Sequence, residues 1–427
     1  MAHADADTPD DPTPVLLRAP WVAPIDRPPI PDGAVLIHKG RIARVGPYRD
    51  LSHDASGTRR HDAGDSVILP GLVNAHTHLE LTHFARTDPP PAGGFVGWIL
   101  ALRERVMAEI ANHGGDAAAV FGPSAADGVA QCRRFGVTCV GDIALNPATV
   151  RAVLRRERLR AVSYGEVVGM AGRAAQLDPL LAAATDRSLE GDRLRIGIEP
   201  HAPYSLDLTG YRRCVEVARE SAYPLATHLA ETPDEAEFLA HHSGGFRDLW
   251  TALGAWSDDV SRFEGGPIRG MQAVGLLDLP HSLLAHVNYC DDAGLDLLAR
   301  GRASVVYCPR THAWFRHPPH RWREMMARGI NVAVGTDSCA SSPDLNLADD
   351  LRLAHQLAPD VAPDLLWQLA TINAARALGL ERDVGSITIG KAADLSIFPT
   401  RGDDPLRYVL ENPVLPREVW SDGRVTA

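Results

Sequence analysis

Residues 67–80 read V-I-L-P-G-L-V-N-A-H-T-H-L-E, an apolar run that closes on two histidines and a glutamate. Side chains alternate between the faces of a β-strand, so His76, His78 and Glu80 share one face while Thr77 and Leu79 share the other. A lone histidine beside such a run is usually a hydrogen-bonded or surface residue. Two imidazoles at i and i+2, each able to reach a common point about 2 Å away, make half of a coordination shell for zinc or iron. The other half has to come from elsewhere in the chain. His83 lies beyond the strand and reads as a surface or supporting residue.

Seven further apolar runs follow, separated by helical patterns: G-V-T-C-V-G-D-I, R-A-V-S-Y-G-E-V-V, L-R-I-G-I-E-P-H, P-L-A-T-H-L-A-E, S-L-L-A-H-V-N-Y, A-S-V-V-Y-C-P-R and N-V-A-V-G-T-D-S. Helix-like stretches such as F-V-G-W-I-L-A-L-R-E-R-V-M-A-E-I lie between most of them. Eight β/α units predict an α/β fold, a closed parallel (β/α)8 barrel of the TIM-barrel kind, with its site at the C-terminal ends of the strands. The Gly- and Trp-containing stretch from about 244 to 272 is expected to be a loop excursion after the fifth strand.

Outside the barrel, G-A-V-L-I-H-K-G-R-I-A-R-V-G-P reads as a hairpin about Lys39-Gly40, and G-S-I-T-I-G-K-A-A-D-L-S-I-F-P and E-V-W-S-D-G-R-V read as strands. A small β-sandwich built from residues 15–68 and 381–427 is therefore expected to flank a barrel spanning 69–380. The acidic, Pro-rich start, residues 1–14, is expected to be a disordered tail.

The chain has 427 residues and a net charge of −11 with no Lys/Arg block, which argues against nucleic-acid or anionic-membrane partners. Its six cysteines are scattered through apolar segments and form no C-x-x-C, as buried free thiols do. No apolar stretch reaches the ~18 residues of a membrane span, and the start lacks the pattern of a signal peptide, so a cytoplasmic location is expected. A small-molecule substrate and, at most, a homodimer complete the expected partners.

The strand ends carry the chemistry. The first run ends in His76 and His78, the fourth in Glu199-Pro200-His201, the fifth in His228 with Glu231 three residues on, the sixth in His286 and the eighth in Asp337. Barrel strand ends converge on one rim, so these residues are expected to meet. Neutral imidazoles with one carboxylate suit Zn²⁺ or Fe²⁺, which lowers the pKa of bound water from 15.7 to about 7. Glu231 can then take the water proton and pass it on, Asp337 the second, and His286 can orient the nucleophile.

In P-G-L-V-N-A-H-T-H, E-P-H-A-P-Y-S, T-H-L-A-E-T, His286, V-G-T-D-S and the closing G-S-I-T-I-G-K-A-A-D-L, the sequence resembles the amidohydrolase superfamily, in particular its deaminase and chlorohydrolase branch, over nearly its whole length. The resemblance implies metal ligands His76, His78, His228 and Asp337, a proton shuttle at Glu231, a water-orienting His286 and a substrate contact at His201. It also implies a distorted barrel with a terminal-strand sandwich. Two-metal members bridge their ions with a strand-end lysine; the chain has only Lys39 and Lys391, neither in the barrel, which points to one ion, Zn²⁺ with Fe²⁺ as the alternative.

E-P-H-A-P-Y-S and H-L-A-E-T resemble deaminases of adenosine-like compounds, so hydrolytic deamination of an aminopurine ring is the expected activity. Guanine deamination, triazine amino- or chlorohydrolysis, and a barrel that has lost catalysis are the alternatives. The segment C-P-R-T-H-A-W-F-R-H departs from the C-P-x-S-N form of the adenosine-type enzymes. Arg310, His312, Trp314 and Trp98 are candidates to line the pocket, although aromatic usage in cores favours plain packing for the two tryptophans. Glu80 is left between substrate contact and a structural salt bridge.

Overall fold

The computed structural model describes residues 13–53 and 57–427, so most of the expected tail lies outside the described residues. In chain order the strands are β1 Val15–Val22, β2 Ile30–His38, β3 Arg41–Pro47, β4 Arg59–Asp62, β5 Ser66–Pro70, β6 Leu72–Thr77, β7 Val137–Ala144, β8 Arg160–Val167, β9 Leu194–Pro200, β10 Leu225–Leu229, β11 Ser282–His286, β12 Ser304–Tyr307, β13 Val332–Val334, β14 Leu395–Pro399, β15 Glu418–Ser421 and β16 Arg424–Val425.

Strands β6 to β13 form one parallel eight-stranded sheet in sequence order, each of the eight expected runs contributing one strand. Its two edges meet across the seam between β6 and β13 through a parallel bridge of Thr77 with Asp337 and the Asp337 N–H bond to the His76 carbonyl. Asn74 strengthens that seam from both ends of its amide: Nδ2 donates to Thr336 Oγ1 at 2.8 Å and Oδ1 accepts the Thr336 N–H at 3.1 Å. The result is a (β/α)8 barrel whose interior is filled by Val73, Ala75, Ile143, Val162, Tyr164 and Leu283, among others.

The run beginning at Val67 supplies two strands, not one. β5 belongs to the terminal sheet, pairing antiparallel with β14, and β6 opens the barrel. Gly71 makes the change of sheet, because a Cβ there would lie 2.1 Å from Thr138 Oγ1; only a glycine lets the chain pass so close to β7. The terminal strands form one hydrogen-bonded sheet in the order β16-β15-β14-β5-β1-β2-β3, with β4 added beside β1. Strands from both ends of the chain thus share one sheet. The β2–β3 turn falls at Lys39 and Gly40, both with positive φ (51° and 73°), as a two-residue hairpin turn of primed type requires.

The excursion expected as loop is partly helical, with helices at Gly244–Ala252 and Pro267–Ala273. Phe246 and Trp250, four residues apart, bury one face of the first helix, and the Trp250 indole donates to the Tyr204 carbonyl at 2.8 Å. That apolar pair overrides the glycines flanking it. All six cysteines are buried free thiols. Among the described residues no helix is long and apolar enough to cross a membrane.

Candidate metal centre and active site

Five histidines gather at the C-terminal rim of the barrel. The His76 ring centroid lies 5.1 Å from that of His78, 5.0 Å from His228 and 5.4 Å from His286, and His201 lies 5.0 Å from His228. Asp337 Oδ1 stands 3.5 Å from His78 Nε2 and 3.7 Å from His76 Nε2. Two overlapping triads result, His76/His78/Asp337 and His76/His228/His286, with the ligand atoms of each within 4.8 Å of one another. The backbone bends sharply to achieve this. Ala230, His286, Val287 and Asp337 all take positive φ, a conformation rare for non-glycine residues and concentrated at functional sites.

Burial lowers the pKa of His76, His78, His201 and His286, most strongly for the last three, so these imidazoles are neutral and carry free lone pairs. Burial alone would raise the Asp337 carboxyl, but its contact with His76 and the neighbouring imidazoles of His286 and His78 outweigh it and hold it well below the usual carboxylate range. Both ring nitrogens of His76 and Nε2 of His286 are buried with no hydrogen-bond partner among the described residues. Orphaned buried nitrogens are costly, and lone pairs converging with an ionised carboxylate are what a divalent cation satisfies. The donor set fits such an ion.

Supporting contacts fix the donors. Asp337 Oδ2 accepts from Ser341 at 2.8 Å and Oδ1 from the Ser338 N–H at 2.8 Å. His228 Nδ1 lies 2.8 Å from Glu199 Oε1 and 3.2 Å from the His201 carbonyl, which turns Nε2 toward the cluster. Glu231 Oε1 stands 3.3 Å from His286 Nε2, and the Tyr204 hydroxyl reaches its other oxygen at 3.5 Å. Burial pushes the Glu231 carboxyl up to about 8, with His228 opposing and Asp337 adding to the rise. The Glu235 carboxylate clamps this turn by accepting from the Ala230 and Glu231 N–H groups at 3.0 and 2.7 Å.

His76, His78, His201, His228, Glu231, His286 and Asp337 thus come together. Arg310, expected to line the pocket, and Glu80, left between substrate contact and a structural salt bridge, are both taken up in internal structural contacts. The Glu80 carboxylate caps the Leu145 and Asn146 N–H groups after β7. Arg310 gives its guanidinium to Asp350 at 2.9 Å and to Asp344 at 2.7 Å. Trp98 donates its indole N–H to Ala340 at 3.0 Å and packs against Phe95, Trp314 and Phe315, so it builds an aromatic wall. Tyr204 stacks on Phe246, centroids 4.2 Å apart, and continues that wall. His312 is buried beside His317 and His320, and His83 pairs with Asp127 at the surface. Glu166 escaped the sequence reading although it is the penultimate residue of β8 and so a strand-end carboxylate; it lies 4.0 Å from His201 Nε2.

The pattern of the amidohydrolase family matches residues 67–426. The 5-methylthioadenosine/S-adenosylhomocysteine deaminase of Syntrophobacter fumaroxidans is 30% identical over 398 residues, covering 90% of this chain and 83% of its own. The aminodeoxyfutalosine deaminase of Deinococcus radiodurans is 30% identical over 360 residues, 81% of each. A crystal structure of an adenosine deaminase from Xanthomonas campestris with bound zinc superposes with a TM-score of 0.76 at 24% identity, covering 98% of this chain and 93% of that one. Matched from β5 of the terminal sheet through the whole barrel to residue 426, the chain belongs to the amidohydrolase family.

Proposed function

We propose that the protein is a metal-dependent hydrolase that deaminates the aminopurine ring of an adenosine-derived small molecule. The observation that carries this reading is the position of Glu231, buried at 3.3 Å from His286 on the edge of the histidine–aspartate cluster. The relatives named as deaminases of methylthioadenosine, S-adenosylhomocysteine and aminodeoxyfutalosine support the substrate class.

His76, His78, His228 and Asp337 would hold a single ion, Zn²⁺ or Fe²⁺; neither lysine lies on a barrel strand to bridge a second. When bound, that ion supplies Lewis acidity that makes water a nucleophile at neutral pH. Glu231 takes a proton from the attacking water and delivers it to the ring nitrogen adjacent to the amino-bearing carbon. His286 steadies the oxygen that adds to that carbon. Asp337 receives the second proton for the departing amine, so the C–N bond breaks, a C–O bond forms and ammonia leaves. His201, with Nδ1 held 2.6 Å from Ser205 Oγ, turns Nε2 toward the substrate side. The aromatic wall of Tyr204, Phe95 and Trp98 suits a planar ring and excludes water.

The test is incubation of the metal-loaded enzyme with adenosine, methylthioadenosine and S-adenosylhomocysteine, following adenine absorbance and ammonia together. Release from at least one of them is expected. Turnover of guanine or a chlorinated triazine with none of these would overturn the substrate class and leave the metal site standing.

A further inference from the structure

Two carboxylates stand side by side on neighbouring barrel strands, Glu166 of β8 directly opposite Glu199 of β9. Their circumstances differ. Glu199 Oε1 lies 2.8 Å from His228 Nδ1 and is occupied in orienting a metal ligand. Glu166 makes no side-chain hydrogen bond among the described residues, and the basic group that approaches it, His201 Nε2, stands at 4.0 Å, beyond hydrogen-bond reach.

Alternation along β8 aims this side chain. Val162 and Tyr164 fill the barrel interior, and Glu166 follows at the same period, on the C-terminal rim where that interior opens. Its side chain keeps 15% of its surface accessible and that of His201 keeps 21%, so a small molecule seated on the rim can touch both. Burial and the neighbouring Glu199 charge push the Glu166 carboxyl up to about 8, with only His228 opposing. A carboxyl this enclosed is costly to leave without donors.

His201 presents a second acceptor. Ser205 Oγ donates its proton to the Ala202 carbonyl at 3.1 Å, so in the 2.6 Å contact of Ser205 Oγ with His201 Nδ1 the ring N–H donates, and Nε2 of the neutral imidazole keeps its lone pair. Two acceptors thus lie 4.0 Å apart with no donor between them, and a ligand bringing two adjacent donors satisfies both. In the substrate class proposed above the amino group departs at the metal centre, and the donors that adenosine has left are its sugar hydroxyls. The sugar is joined to the purine on the side remote from the amino-bearing carbon. β8 lies two strands along the sheet from β10, the strand of His228, roughly 10 Å away at the usual strand spacing, which is where the sugar falls.

On the aminopurine-deaminase reading of the same site, on which this rests, we propose that Glu166 and His201 Nε2 bind the vicinal sugar hydroxyls of the substrate and make the enzyme select ribonucleosides over their deoxy counterparts. A carboxylate suits this task because its two oxygens accept from both hydroxyls in charge-assisted hydrogen bonds. Glu166 contributes binding and moves no proton, so its loss shows in KM.

The experiment is steady-state ammonia release by the full-length, metal-loaded protein from adenosine and from 2′,3′-dideoxyadenosine, which lacks both hydroxyls, with metal content and thermal melts measured alongside. Wild type is expected to favour adenosine in kcat/KM by at least about tenfold, the scale of hydrogen bonds to a charged acceptor. Glu166→Ala should erase most of that preference, the loss falling in KM for adenosine, while dideoxyadenosine loses far less. Glu166→Gln keeps the size of the side chain and one acceptor but removes the charge; it should fall between the two, and it carries the test where the alanine variant does not fold. Either variant keeping the full wild-type preference overturns the proposal. So does an equal loss on both substrates, the mark of a purely structural role, and so does a wild type that does not discriminate. No release from any adenosine derivative by the metal-loaded wild type would instead refute the aminopurine reading itself, and this assignment with it.

Discussion

Glu231 Oε1 and His286 Nε2 are 3.3 Å apart, one from the turn after β10 and the other from the last residue of β11. The two side chains that would handle the proton and steady the adding oxygen therefore face each other across neighbouring strands. Glu231→Gln keeps the shape and removes the proton acceptor. Metal content should be unchanged and kcat should fall by about 10²–10⁴, the range general acid–base groups supply. A variant with near-normal kcat would remove Glu231 from the mechanism.

His228→Ala should lose the metal itself. Elemental analysis of wild type is expected to give about one ion per chain, and the variant far less than one. Chelation of wild type should abolish turnover while far-ultraviolet circular dichroism stays native, since the barrel core does not depend on the ion. Two tightly held ions per wild-type chain would contradict the single-ion reading.

Asp142 sits buried in β7, accepting from the Leu79 N–H at 3.1 Å, and burial pushes its carboxyl up to about 7 against the counteracting Leu79 N–H, Arg151 and Ser163. Glu80 and Glu199 add further buried carboxyls close by. A carboxyl whose folded pKa exceeds its unfolded value binds more protons in the native state. Stability then falls as pH rises from about 4 to about 7, by at most about 4 kcal/mol for a shift of roughly three units. Asp142→Asn removes this cost. Urea melts should show the variant gaining on wild type at pH 8 and matching it near pH 4, and a gain independent of pH would refute the assignment.

Gly71→Ala should destabilise the chain by about 1–3 kcal/mol, the usual range for overpacking, because its Cβ would meet Thr138 Oγ1 at 2.1 Å and Cγ2 at 2.5 Å. Pairing it with Thr138→Ala removes both of those atoms. A double-mutant cycle should show strong coupling, and purely additive losses would place the strain elsewhere.

Much of the barrel was legible because its strands end in polar residues. A buried strand reads as a short apolar run, and His76, His228, His286 and Asp337 stand where such runs stop, so fold and site announced each other. The boundary at Gly71 was not legible: Val67 to Val73 is uniformly apolar, and only the close approach of Thr138 reveals a change of sheet. Arg310 and Glu80 show the converse limit. A charged residue near a strand end has the same spelling whether it faces substrate or is consumed by Asp350 and Asp344, or by two backbone N–H groups, and that depends on loops whose paths carry no periodicity. The helix at Gly244–Ala252 hid for a related reason, its apolar residues Phe246 and Trp250 being too few to outweigh the surrounding glycines.

Asn74 and Thr336 are 262 residues apart in sequence, and β5 waits for β14 across a longer interval still. During synthesis His76 and His78 leave the ribosome early, yet Asp337 and the β13 edge that completes their surroundings arrive only after most of the chain has been made. For that interval β5 can lie beside β1 and β6 beside β7, but each lacks its second neighbour, β14 for the one and the β13 edge for the other. The assembly of the rim that gathers the five histidines and Asp337 is therefore among the last events of maturation.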